Sequence, residues 1–536
     1  MLLNPQQYKP FSKWGIKYRQ DEICLYYDYH TNKWELLVNS EIITGTGSFE
    51  LVKKFNDLLK GFSEKEKIIC FVNDLRLAMC MFPGGEVEGT KTDASLTKHP
   101  VYYITNHIQF RNFSLFHVSA GGKDCTSAYQ MFDYLRKIAA KIDWNTITAC
   151  AYTIGHMTKK ILAHGKEQKI LDWYAKHHNY IGTIKEYEDQ LIGNKTGLLK
   201  ACKGVYNNVF MIDLKSAYIS SFIHLDCFPI GRNIHYSGKN AMVKFLKDEF
   251  YHIILHKKEV VTEFENHKQG NKYGFYKHDF ITFPELKKWI VEQYKSGCEV
   301  EVYDSQEYGR LPKFYLDEIM NLYNYKQIAK GNERSAVKAI TEMIYGKALQ
   351  QKEYKSDKEV YKHFLLPENF MRPEYSMIAC AYVRSRLAEM INKLGGSYYN
   401  DTDGIECAYT KENEMIVKME NERILQLNRE LGYESNIGTW EIEEKHATIN
   451  IIARKQRMYI GDNGEITVKV AGVNKVYVQE HVSNKNIKDV ISYFAKPVEV
   501  VCEPVLFHVK GYGFIEKERR IVLLGGDNYG KVNKRI

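Results

Sequence analysis

Apolar positions recur along this chain with two periods, close to two and close to 3.6, and the switches between them outline its elements. Ile23-Cys24-Leu25-Tyr26-Tyr27-Asp28-Tyr29 and Trp34-Glu35-Leu36-Leu37-Val38 predict a hairpin around Asp28-Tyr29-His30-Thr31. Phe49 to Leu59 has helical spacing, Ile68-Ile69-Cys70-Phe71-Val72-Asn73-Asp74 reads as a buried strand, and residues 124–165 read as largely helical. Gly193 to Gly204 carries glycine and lysine with little pattern, which predicts the main domain boundary. The strand Val209-Phe210-Met211-Ile212-Asp213 then opens a second unit, and residues 240–310 mix both periods like an insertion. Leu316 to Leu349 is helical with a break near Gly331-Asn332, and Ser376 to Leu394 predicts another helix. Residues 430–480 return to strands, with a turn at Gly461-Asp462-Asn463-Gly464. The chain has no internal repeat and no low-complexity tract.

Composition adds bounds to this outline. A chain of 536 residues exceeds one ordinary domain, and its 44% hydrophobic and 13% aromatic content is ample for several cores. The 39 tyrosines offer flat faces for bases and sugars as well as half-buried packing, and the net charge of +9 is compatible with a polyanionic partner. The 11 cysteines are odd in number and include no CxxC pair, so they predict reduced thiols in an intracellular, cytoplasmic protein. The N-terminal residues lack a charged-then-apolar signal and no window reaches membrane-spanning length, so no membrane partner is expected.

The chemistry centres on Tyr398-Tyr399-Asn400-Asp401-Thr402-Asp403-Gly404. An apolar segment precedes it and Ile405-Glu406-Cys407-Ala408-Tyr409 follows with partial alternation, which predicts a tight hairpin with two carboxylates at its tip. Carboxylates at i and i+2 share one side of a strand and repel each other unless a divalent cation lies between them. Alone, an Asp-x-Asp turn reads more readily as a solvated turn. In Met211-Ile212-Asp213-Leu214-Lys215-Ser216-Ala217-Tyr218 a strand ends in an aspartate and turns into a helix whose first amides suit a phosphate. In the stretch from Arg334 to Lys347, Arg334 and Lys338 share a helix face with Tyr345, and Lys326 lies eight residues before Arg334. Each piece alone is also an ordinary strand end or a solvated basic face. Together they form three aspartates for two magnesium ions, with manganese as an alternative, and a basic helix for a triphosphate.

In this order, Asp-Leu-Lys-Ser-Ala-Tyr from Asp213, Lys-x6-Tyr-Gly-Lys from Lys338, and Tyr-x-Asp-Thr-Asp from Tyr399 resemble motifs A, B and C of family B DNA polymerases, most closely the protein-primed branch of phages and other linear elements. Gly438-Thr439-Trp440-Glu441-Ile442-Glu443 is similar to a further family motif, Arg457-Met458-Tyr459 to an altered Lys-x-Tyr motif, and Lys469-Val470-Ala471-Gly472-Val473 to the strand after it. The resemblance runs from about residue 205 to the C-terminus and, more faintly, over the N-terminal part. It implies an α/β multidomain chain, with an N-terminal RNase H-like exonuclease-type domain and a right-hand polymerase of palm, fingers and thumb. The implied layout is an exonuclease-like domain over 1–195, palm with motif A over 196–231, an insertion over 232–312 that meets terminal protein or DNA, fingers over 313–350, palm with motif C over 351–480 and thumb over 481–536.

The resemblance also implies roles. Asp213 and Asp403 become metal ligands and Asp401 the third catalytic carboxylate. Ser216 and Tyr218 contact the nucleotide, with Tyr218 under the sugar. Lys326, Arg334 and Lys338 meet the triphosphate, Tyr345 packs on the nascent base pair, and Tyr399, Arg457, Tyr459 and Lys469 hold the primer strand. The implied partners are a DNA primer-template, dNTPs and a terminal protein that primes synthesis, met by a monomeric enzyme. Two departures stand out: Glu342 occupies the place of an Asn one turn after the motif B lysine, and Gly404 follows motif C in place of Ser.

For the N-terminal domain the family pattern is a 3′–5′ exonuclease with about four metal-binding carboxylates. Asp28-Tyr29-His30-Thr31 has His30 where the second carboxylate is expected. Asn73 is kept in the second motif without its later aspartate, Tyr129-Gln130-Met131-Phe132-Asp133 resembles the third, and Ser114-Leu115 resembles a strand-binding pair. Asp28, Asn73 and Asp133 therefore predict a retained fold with weak or absent proofreading. The linker motif Tyr-x-Gly-Gly has only Asn194-Lys195-Thr196-Gly197 in its place, and Gln350 to Asp357 offers only a short hairpin for the second insertion. A catalytically altered polymerase fold that binds nucleic acid is the alternative reading. A sugar-nucleotide transferase leaves the Lys-Tyr-Gly helix unexplained, and a reverse transcriptase places its paired aspartates next to each other.

Overall fold

The computed structural model describes residues 17–19, 21–28, 31–63, 66–73, 75, 78, 82, 86–91, 96–105, 107–113, 125–139, 158, 161–162, 166, 168–170, 172, 197–226, 228–229, 233–237, 239–240, 242–243, 254–256, 284–295, 297, 301–305, 307–347, 351–355, 360–364, 373–461, 464–470, 498–509 and 513–523. Two compact units emerge. One gathers Met1–Asp172, Asp317–Lys347 and Pro504–Lys517, and the other Trp173–Leu316, Ala348–Glu503 and Glu518–Ile536.

The first unit is built on a mixed sheet. Ile23–Asp28 lies between the antiparallel strand Lys33–Val38 and the parallel strand Glu66–Val72, which in turn pairs in parallel with Ile108–Asn112. Ile23, Leu25, Trp34, Leu36, Ile68 and Phe110 form one buried face. The helix Ser48–Leu58 adds Leu51 and Phe55 to it, since positions four apart share a face. The helix Ala128–Ala139 packs on the strands Ile23–Asp28 and Lys33–Val38, and the helix Gly331–Lys347 packs on it in turn. The hairpin expected near residue 30, the helix from about 49 and the strand from about 68 are all present.

The second unit carries a seven-stranded antiparallel sheet. Its spatial order is Ile466–Val470, Gln456–Ile460, Trp440–Ala453, Gly204–Leu214, Gly404–Ala408, Tyr399–Thr402 and Leu198–Ala201. The helices Pro373–Lys393 and Ala217–His224 pack on each other, and the helix Lys411–Glu430 lies against the strand Trp440–Ala453. Two elements differ from the sequence pattern. Residues 198–201, within the stretch of little pattern, form the edge strand beside Tyr399–Thr402, a pairing set by a partner two hundred residues away. Lys411–Glu430 is a long helix whose buried stripe includes Asn413, Glu420 and Asn428 beside Val417 and Ile424, so its apolar period is diluted by polar residues. Thr410 caps it by accepting from the Asn413 amide at 3.0 Å.

The helical run from Leu316 is divided at residues 329–330, giving helices Lys313–Ile328 and Gly331–Lys347. The short hairpin expected near residue 350 is Gln351–Lys355 paired with Val360–Phe364. Within 232–312 the described parts are a small sheet of Asn233–Ser237, Ile254–His256 and Glu301–Ser305 and the helix Pro284–Lys295. Cys24, Cys70, Cys125, Cys202, Cys380 and Cys407 are free thiols. Among the described residues no helix is long and apolar enough to cross a membrane.

Candidate active site

Three aspartates meet at one end of the seven-stranded sheet because of its register. Gly204–Leu214 is paired on both sides, so Asp213 stands opposite Gly404 on one neighbour and Glu441 on the other. Asp401 faces Gly404 across the hairpin. The Asp403 amide donates to the Asp401 carbonyl at 2.8 Å, closing a turn in which Thr402 has a φ of +65°. That conformation is costly for a β-branched residue, and such strain persists only where the surroundings enforce it. Here the Leu214 amide donates to the Asp403 carbonyl at 3.0 Å, tying the tip to the end of the Asp213 strand. A β-carbon on Gly404 would stand 3.5 Å from Asp213 Oδ1, ordinary contact, so the turn does not require glycine there. Asp213, Asp401 and Asp403 thus line a single cleft of about 310 Å³ together with Tyr399, Glu406, Lys455 and Arg457.

Hydrogen bonds and ion pairs order one wall of this cleft. Asp401 accepts from the Tyr399 hydroxyl and the Thr402 hydroxyl, each at 3.2 Å, and pairs with Lys455 Nζ at 3.2 Å. Lys455 sits in a tight turn at φ +59°, and its amide donates to the Tyr399 oxygen. Arg457 lies with its guanidinium 3.9 Å from the Tyr399 ring centre and pairs with Glu406 through Nε at 2.8 Å. Tyr459 donates to the same Glu406 oxygen at 2.5 Å, and Lys469 hangs over the Tyr459 ring while its Nζ reaches Glu444 at 3.5 Å. Burial pushes the Glu406 carboxyl above its usual range, and Arg457 and Tyr459 pull against that push. Burial also raises the Tyr399 phenol.

The Asp213 strand leads into a constrained turn. Lys215 donates its amide to the Thr439 carbonyl and accepts from the Gly438 amide, both at 2.9 Å, and its ammonium lies 3.3 Å from Glu441. Ser216 then takes a left-handed conformation, φ +52°, at the start of the helix Ala217–His224, and Tyr218 is half-buried in the first turn of that helix. On the neighbouring strand the ladder steps from Met211–Glu444 to Ile212–Ile442, so Glu443 is the extra residue of a bulge and is exposed.

The remaining candidates lie in the first unit. Arg334 and Lys338 are exposed and Tyr345 half-buried on the helix Gly331–Lys347, and Lys338 pairs with Glu342 at 3.6 Å. Lys326 sits 5.4 Å from the Tyr323 ring centre. Asp28 ends its strand and accepts from the Thr31 hydroxyl at 2.7 Å. Asn73 is engaged with the Tyr27 backbone on both sides, accepting from its amide at 3.0 Å and donating to its carbonyl at 2.9 Å. Asp133 is half-buried on the helix Ala128–Ala139. Tyr29, His30, Asp74, Ser114 and Leu115 lie outside the described residues.

The sequence pattern did not single out Glu406 or Lys455. In the sequence Glu406 alternates with the apolar Ile405 and Cys407 like any strand residue, and its partner Arg457 is fifty-one positions away. Among the described residues, no group of three or more His, Cys, Asp or Glu side chains closes into metal-holding geometry. The three aspartates line the cleft with Asp401 turned onto Lys455.

No protein-family model matches the sequence, and no curated protein matches it either. Solved structures do. Phi29 DNA polymerase complexed with primer-template DNA aligns at a TM-score of 0.59 and 12% identity, covering 94% of this chain and 100% of that one. The same polymerase complexed with single-stranded DNA gives 0.59 and 12%, over 92% of this chain and 96% of that one. Its complex with primer-template DNA and incoming nucleotide substrates gives 0.58 and 12%, over 94% and 100%. At that identity the likeness is one of architecture, and over nearly its whole length this mixed α/β chain has the fold of Phi29 DNA polymerase.

Proposed function

We propose that this protein is a DNA-directed DNA polymerase of the protein-primed family B type, adding dNTPs to a primer 3′-hydroxyl. One observation carries the reading: Asp213 and the Asp401–Asp403 hairpin, from segments almost two hundred residues apart, line one cleft at a sheet end. Carboxylate oxygens on a hairpin and on a facing strand end are the donor type that magnesium takes. Asp213 and Asp403 would hold the divalent ions, which when bound supply positive charge for the attacking 3′-oxygen and the leaving pyrophosphate. Asp401, beside Lys455 and Tyr399, is the third carboxylate and fixes the hairpin's orientation.

The protein's own residues carry the rest. Ser216 and Tyr218 start the helix beneath the incoming nucleotide, where Tyr218 excludes a ribose 2′-hydroxyl. Lys326, Arg334 and Lys338 attract the triphosphate and Tyr345 stacks on the new base pair. Tyr399, Arg457, Tyr459 and Lys469 grip the primer strand, whose phosphates favour the basic members of this set. Residues 232–312 receive the terminal protein. Editing is weak or absent, because His30 replaces a carboxylate and the Asn73 amide is occupied by the Tyr27 backbone.

A second reading has its own support: Lys338 is paired with Glu342 and Asp401 with Lys455, so a catalytically altered fold that binds nucleic acid would show the same ion pairs. Primer extension separates the two. Magnesium-dependent incorporation on a primed template, abolished by Asp401→Ala, supports the polymerase. Tight primer-template binding with no turnover in magnesium or manganese supports the binding protein. Extension begun only when a terminal protein is supplied supports protein priming.

A further inference from the structure

We propose that Glu406 is a positioning residue that holds the Arg457 guanidinium against Tyr399 with its terminal nitrogens open to a primer phosphate. The inference rests on the reading of Arg457 as a primer-strand contact.

Glu406 is an unusual residue to bury beside a site for a polyanion. Only 1% of it is exposed, yet it lines the same cleft as the three aspartates. A buried carboxylate next to a phosphate path repels it, so its presence needs a reason. Its contacts give one. Oε1 takes Arg457 Nε at 2.8 Å and the Tyr459 hydroxyl at 2.5 Å. Oε2 is buried with no hydrogen-bond partner among the described residues. Arg457 therefore uses the Nε edge of its fork on Glu406 and the Tyr459 oxygen together, and one flat face on Tyr399. Its two terminal nitrogens make no hydrogen bond among the described residues, and the side chain lines the cleft.

This division of labour requires an arginine. A guanidinium offers separate edges, so one edge can be anchored while another meets a phosphate; an ammonium is a single point and cannot do both from one position. The altered motif, arginine where the resembled pattern has lysine, is then the counterpart of Glu406. The two residues form one device, and the anchor lowers the side-chain entropy lost when the phosphate is bound.

The sign of one measurement tests this. Removing a negative charge beside a DNA phosphate tightens binding if charge alone matters. Glu406→Gln keeps the shape and the acceptor and removes the charge. If Glu406 positions Arg457, the variant binds primer-template more weakly, by about tenfold, the scale of one charge-assisted hydrogen bond. Fluorescence anisotropy with labelled primer-template, at fixed salt, reads this directly, with thermal melting to check folding. Unchanged or tighter binding by folded Glu406→Gln overturns the proposal. Arg457→Lys, which keeps the charge and loses the second edge, serves if Glu406→Gln does not fold: weakening of similar size supports the proposal, and unchanged binding overturns it. Arg457→Ala separates the two layers. If it leaves primer-template affinity unchanged, the primer-strand reading of Arg457 fails; if it weakens binding while Glu406→Gln does not, only the role of Glu406 fails.

Discussion

Gly197 lies against the backbone of Thr402: a β-carbon built on Gly197 would stand 2.3 Å from the Thr402 α-carbon. Leu198, next in the chain, is the register partner of Thr402 on the edge strand. The back of the strained turn that carries Asp401 and Asp403 is thus closed by a residue without a side chain. Flexible side-chain ends move aside cheaply, but here the obstacle is backbone. Gly197→Ala is expected to push the turn outward and lower primer extension by about a hundredfold, the cost of misplacing catalytic groups by about 1 Å. Comparing the single-nucleotide incorporation rate with the wild type, in a variant that still melts cooperatively, checks this.

Gly438 guards the other half of the site. It has a φ of +74°, and a β-carbon would fall 2.4 Å from His224 Cε1. Its amide and the Thr439 carbonyl hold Lys215, two residues past Asp213. Gly438→Ala combines backbone strain with a clash against the half-buried His224 ring, and a loss of roughly 2–4 kcal/mol in stability is expected. Chemical denaturation measures it; a loss below about 0.5 kcal/mol contradicts the packing described.

His224 sets a pH dependence. Asn428 donates its amide nitrogen to the carbonyls of Ser435 and Ile437, so its oxygen faces His224 Nε2 at 2.8 Å and accepts. With the hydrogen of the neutral ring on Nε2, Nδ1 accepts from the Tyr382 hydroxyl at 2.7 Å, whose oxygen also accepts from Arg386. The ring is fixed as a neutral tautomer, and burial, with Arg386 nearby, pushes its pKa from 6.5 down to about 3. The unfolded chain takes up a proton near 6.5 and the folded one only near 3, so this stability is complete above 6.5 and drains as pH falls. The slope is about 1.4 kcal/mol per pH unit from this residue. His224→Gln is expected to flatten the dependence of unfolding free energy on pH between 6 and 4 by about that slope. An unaltered slope contradicts the neutral tautomer.

Proofreading is expected to be negligible. Asn73 is tied to the Tyr27 backbone and Asp28 to Thr31. Trimming of single-stranded DNA in magnesium should match the background of an Asp28→Ala variant. Brisk trimming that this substitution abolishes contradicts the expectation.

Much of the site was legible in the chain because its chemistry is local. The Asp401-Thr402-Asp403 tip and the strand ending at Asp213 are each written within a few consecutive residues, and both elements form. What was not legible depends on partners remote in sequence. Leu198–Ala201 becomes a strand only because Tyr399–Thr402 offers it a ladder, and Glu406 gains meaning only beside Arg457 and Tyr459. Gly197 carries no local signal of its closeness to Thr402. The helix Lys411–Glu430 was hidden by polar residues at buried positions, which bond to neighbours such as His224 and Arg386.

The most direct test pairs two readouts on Asp213→Asn, Asp401→Asn and Asp403→Asn. Primer-template affinity and the rate of single-nucleotide incorporation with magnesium are measured for each variant and the wild type. A polymerase site built on these carboxylates gives wild-type extension, and variants that bind primer-template while incorporating at least about a thousandfold more slowly. Incorporation by Asp401→Asn or Asp403→Asn within a few-fold of the wild-type rate would contradict it.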